Sequence, residues 1–93
     1  MDIEFDEEEL QRTLDQRGLD FADAIQLFDG AEFTLPDDRA DYGEERFFTV
    51  GFLGERMVLI VWTPRGEGRR IISMRKCNAR EQARFRGHLD RPG

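Results

Sequence analysis

The longest uninterrupted apolar run, Met57–Trp62, most restricts what this chain can fold into. It is far shorter than the ~18–20 residues of a membrane helix, so no membrane span is expected and the run reads as a strand. A strand that is apolar at every position has both faces buried, and layers must therefore lie above and below it. With 93 residues, 39% hydrophobic and 37% charged, the expectation is a single domain over 1–93 with one modest core. Eight Phe and one Trp supply its bulk.

The period of the apolar residues changes along the chain. Ile3–Phe5 reads as a short leading strand. Leu10 and Leu14 form a narrow stripe on a helix over 7–17, with Asp6 and Glu9 at capping-box spacing and Gly18 closing it. Asp20 opens a second short helix whose stripe is Phe21, Ala24, Ile25 and Phe28. Phe33 and Leu35 alternate briefly before the loop PDDRADYGEE. After it the period is two. Phe48, Val50 and Phe52 share one strand face, Leu53–Glu55 makes a turn, Met57–Trp62 is the central strand, and Pro64–Gly68 connects it to a strand over 69–76. Asn78, with Glu81 three positions on, caps a last helix that turns Gln82, Phe85 and Leu89 inward. The fold expected is α+β, with two short N-terminal helices, an antiparallel sheet of three to four strands and a C-terminal helix.

Charge is segregated. Residues 1–45 hold 16 acidic and 3 basic side chains, whereas residues 46–93 hold 11 basic and 4 acidic, so the net −6 conceals a basic second half. Strict alternation over Arg69–Lys76 puts Arg70, Ile72, Met74 and Lys76 on one face and Ile71, Ser73 and Arg75 on the other. A strand-borne guanidinium suits a phosphate or a developing pentacoordinate oxyanion, while the plain alternative is an edge charge with a buried stem. Arg80 and Arg84 extend this basic strip and fit a phosphate backbone, or else a solvated helix face. His88 is the one ordinary acid–base group near neutrality but sits at a helix end. The acids Asp37, Asp38, Asp41, Glu44 and Glu45 lack calcium-loop spacing, so neither a metal nor another cofactor is expected. Lone Cys77 rules out an internal disulfide. With no basic–apolar leader at the start, it fits a cytoplasmic protein.

In order and spacing the segments resemble the BrnT family of toxins from bacterial type II toxin–antitoxin systems. The matching pieces are Phe5–Asp6, Gly18–Ala24, the segment Asp41–Phe47 containing GEERF, and Arg70–Cys77 followed by Arg80–Phe85. The resemblance implies a RelE-like fold and metal-independent cleavage of RNA by attack of a ribose 2′-hydroxyl on the adjacent phosphodiester. It implies Arg70 and Arg75 at the phosphate, Glu45, its neighbour Glu44 or an arginine in an unusual environment in proton transfer, and Arg46, Lys76, Arg80, Arg84 and Arg17 on the RNA. The implied partner is a cognate antitoxin with a ribbon-helix-helix domain, which alone contacts DNA. The family's Lys-His-Gly appears here as Gln16-Arg17-Gly18, so Arg17 stands at its histidine position. Arginine keeps a phosphate contact but shuttles protons poorly. The companion expectation is a catalytically weakened toxin homologue acting as an interaction or co-repressor subunit.

Overall fold

The computed structural model describes residues 2–30, 32–39 and 41–89. Strand β1 (Ile3–Glu4) leads into helix α1 (Glu7–Arg17), a 3₁₀ turn (Phe21–Asp23) and helix α2 (Ala24–Asp29). Strands β2 (Glu32–Pro36), β3 (Phe47–Leu53), β4 (Arg56–Arg65) and β5 (Gly68–Lys76) follow, and helix α3 (Ala79–Leu89) ends the described chain. The strands form one five-stranded sheet in the order β1-β5-β4-β3-β2. This is an α+β domain, but its sheet is mixed rather than antiparallel. The β2–β5 run is an antiparallel meander, and β1 pairs in parallel with Arg69 and Arg70 of β5.

Two features set the edges of the sheet. The Phe33–Leu35 alternation becomes the edge strand β2. At the other edge, Gly68 lets β1 dock, because a Cβ there would lie 2.5 Å from the Asp2 carbonyl oxygen. The Arg69 N–H donates to that carbonyl at 3.0 Å.

As the apolar run requires, β4 is covered on both sides. Val58, Ile60 and Trp62 pack with Ile71 and Met74 under Leu19, Phe21, Ala24, Leu27 and Phe28 of the N-terminal helical segments. Met57, Leu59 and Val61 pack with Val50 and Cys77 under Phe85 and Leu89 of α3. We call these the N-helix face and the α3 face. Phe85 approaches Phe33 and Phe48, with centroids 5.9 and 6.0 Å apart, so α3 leans toward β2 and β3.

The caps are mostly those expected. Asp6 accepts the Glu8 and Glu9 N–H groups, but Glu9 pairs with Arg12 at 2.7 Å. Gly18, at φ 67°, closes α1 in the left-handed region. Asp20 caps the 3₁₀ turn. That turn advances about 120° per residue rather than 100°, which rotates the stripe. Leu27 joins Phe21, Ala24 and Phe28 inside, and Ile25 lies outside at 39% exposure.

Candidate functional site

Strand β5 is bulged at Ile72. Val61 pairs with Ser73 and Trp62 with Ile71, leaving Ile72 as the extra residue. The strict alternation expected over 69–76 therefore fails at this point. Ile71 and Met74 both enter the N-helix face, and Lys76 shares that side opposite Val58. Arg70 and Arg75, opposite Thr63 and Leu59, fall on the α3 face together with Ser73. Arg69 goes the other way. Its guanidinium carbon lies 4.3 Å from the Phe28 centroid and 4.0 Å from that of Trp62, near Glu32 at 3.7 Å. Burial raises the Glu32 carboxyl above its ordinary value.

Beside α3 this face holds a cavity of about 310 Å³. Four elements send arginines to it: Arg17 from the end of α1, Arg39 from the β2–β3 loop, Arg75 from β5 and Arg84 from α3. Phe48, Leu59, Val61 and Phe85 supply apolar walls, and Ser73 and Glu81 complete the lining.

Each of these arginines has a defined setting. Arg75 donates from Nη1 and Nη2 to the two Glu81 oxygens, both at 2.7 Å. Glu81 and Asn78 form a reciprocal capping box, with the Asn78 N–H to Glu81 Oε1 at 3.0 Å and the Glu81 N–H to Asn78 Oδ1 at 2.8 Å. The Arg75 hydrogen bonds are the main reason the Glu81 carboxyl is held down at about 2. The Arg75 guanidinium is in turn raised by Glu81. Arg39 forks onto buried Asp37 at 2.7 and 2.8 Å and lowers that carboxyl. Arg17 Nη1 donates to the Met74 carbonyl at 2.8 Å, beyond the end of two-residue β1. The Arg84 guanidinium lies 5.0 Å from the Phe85 centroid.

A second concavity lies on the same face, lined by Arg46, Arg65 and Arg70 with Asp6, Glu9 and Glu44. Arg46 sits 3.4 Å from Glu44 and 4.0 Å from the Tyr42 centroid. Glu45 is in neither cavity with Arg70 or Arg75. It borders a loop hollow with Pro36, Asp37 and Asp38, and its carbonyl accepts the Thr63 hydroxyl at 2.6 Å. Lys76 and Arg80 are exposed and line neither cavity. His88 stacks on Phe33 at 4.1 Å. Burial pushes the Cys77 thiol up to about 11, which makes it a poor nucleophile. Arg39 joins the site although neither alternation nor charge runs singled it out, and Ser73 joins it on the face it was expected to share with Arg75. Glu81 was legible as a cap but not as the partner of Arg75.

A small α+β domain with four arginines bordering a cavity on one sheet face has a charge pattern that suits an anionic ligand. The family model described as "Ribonuclease toxin, BrnT, of type II toxin-antitoxin system" matches residues 5–81, and the chain belongs to that family. It is thus a toxin of a type II toxin–antitoxin system with ribonuclease activity, and BrnT-type toxins pair with antitoxins. The match includes Arg17, Arg39, Glu44, Arg46, Arg70, Ser73, Arg75 and Glu81, and stops short of Arg84. No curated protein matches the sequence. Among the described residues no helix is long and apolar enough to cross a membrane.

Proposed function

We propose that the α3 face is the RNA-cleaving surface of a RelE-like, metal-independent endoribonuclease working in the cytoplasm. The observation that carries this reading is the Ile72 bulge, which turns Arg70, Ser73 and Arg75 to one side of the sheet while Arg17, Arg39 and Arg84 converge on Arg75.

The 2′-oxygen attacks the adjacent phosphorus, the bond to the 5′-oxygen breaks, and a 2′,3′-cyclic phosphate remains. Negative charge grows on the non-bridging oxygens, where planar guanidinium forks hydrogen-bond best. Arg70 and Arg75 take that role, with Arg17, Arg46 and Arg84 holding the flanking chain. Exposed Lys76 and Arg80 add long-range attraction. Of the two loop glutamates, Glu44 shares a concavity with Arg70 and is the better placed to accept a proton. The proton it takes from the 2′-hydroxyl returns to the departing 5′-oxygen. A cognate antitoxin with a ribbon-helix-helix domain covers the face and links the complex to DNA.

One observation favours a second reading, a weakened homologue kept as a co-repressor subunit: the Arg75 fork is already engaged by Glu81. Inducible expression separates the two. Wild type should arrest growth and fragment RNA, Arg75→Ala should do neither, and the purified reaction should persist in chelator. Intact RNA and normal growth with folded wild-type protein would sink the nuclease reading.

A further inference from the structure

We infer that the cavity beside Arg75 receives one unpaired nucleobase, so that the chain acts on single-stranded RNA. This rests on the proposed RNA-cleaving role of the α3 face. Binding a phosphate needs only cations, yet the arginines here border walls made by Phe48, Leu59, Val61 and Phe85. An anion joined to a flat apolar body satisfies both halves of such a surface, and a nucleotide is that object. The volume, about 310 Å³, is at the small end for ligand pockets and suits one base rather than a stack. Phe48 is half-buried on β3, so its ring is held by the sheet while part of it faces the cavity. Arg84, lying over Phe85, adds a guanidinium plane on which a base also stacks. In duplex RNA the base faces are stacked away and cannot enter.

The test is fluorescence anisotropy with a 2′-fluoro RNA oligomer, which lacks the attacking hydroxyl. It is compared with its duplex and with a series carrying one abasic position moved along the strand. Wild type should bind the duplex at least about tenfold more weakly than the single strand, and one abasic position should cost about tenfold. Phe48→Leu, which keeps apolar bulk, should erase the abasic penalty, and Phe48→Tyr, which keeps the ring, should retain it. Equal affinity for the intact and every abasic strand would overturn the inference and leave the apolar walls to a protein segment. So would an unchanged penalty in Phe48→Leu. Equal cleavage of single-stranded and duplex RNA sinks this inference alone, whereas no cleavage by folded protein sinks the reading beneath it.

Discussion

Arg75 and Glu81 are joined by two hydrogen bonds of 2.7 Å, and Glu81 Oε1 also accepts the Asn78 N–H that begins α3. One carboxylate therefore both caps a helix and aims the guanidinium that faces the cavity. Glu81→Ala should cost about 1–2 kcal/mol of stability through the lost cap and ion pair. Cleavage should fall further, by about 10- to 100-fold, because an untethered Arg75 is no longer held in place. Urea denaturation and single-turnover cleavage measured together check this. A drop in activity no larger than the fraction unfolded would reduce Glu81 to a cap.

The same pair sets an acid limb of stability. The Glu81 carboxyl is held near 2 against an ordinary 4.5, so the unfolded chain takes up the proton first. Its stabilisation is complete above about pH 4.5 and disappears as pH falls toward 2. Glu32 has the opposite sign. Burial raises its carboxyl, so its contribution is whole below pH 4.5 and is lost as pH rises through the raised value. Urea midpoints between pH 2 and 6 should fall less steeply with acid in Glu81→Gln than in wild type. Glu32→Gln should remove the opposing trend.

These pairs also mark where the sequence was readable. Asn78 and Glu81 are three apart, and a capping box needs only that local spacing. Met57–Trp62 required cover on both faces whatever the partners were. The Ile72 bulge was hidden because alternation assumes one residue per pleat, and the adjacent Ile71 and Ile72 satisfy either register. The leading strand was legible, but its parallel pairing was hidden for a different reason: it depends on the bare Gly68 Cα meeting Asp2, a contact between chain segments far apart in sequence. The fork from Arg39 to Asp37 lies in a loop, where no periodicity announces which side chains meet.

Arg17, where the resemblance to the BrnT family implies a histidine, lines the cavity with Arg75. Arg17→His places a group with an ordinary pKa of about 6.5 there. The rate of RNA cleavage should then acquire an inflection near that pH which wild type lacks. Stability should drop by about 1 kcal/mol as the hydrogen bond to the Met74 carbonyl is lost. An unchanged pH–rate profile, with the variant folded, would show that this position takes no part in proton transfer.

Deleting Ile72 tests the geometry on which the site depends. Pairing on either side of the bulge is already in step, with Ile71 against Trp62 and Ser73 against Val61. Removing Ile72 leaves every other pair intact and costs only the packing of one half-buried side chain, about 1–2 kcal/mol. The deletion variant should therefore fold, with near-UV circular dichroism like wild type. In a strand without a bulge, the same deletion would drive Arg75 into the N-helix core and expose Met74, which no domain of this size would survive. The local kink and extra twist vanish with the bulge, so Arg70 changes direction relative to Ser73 and Arg75. RNA cleavage should fall by at least about tenfold in a protein that remains folded. An unfolded deletion variant would contradict the register, and full activity would separate the bulge from catalysis.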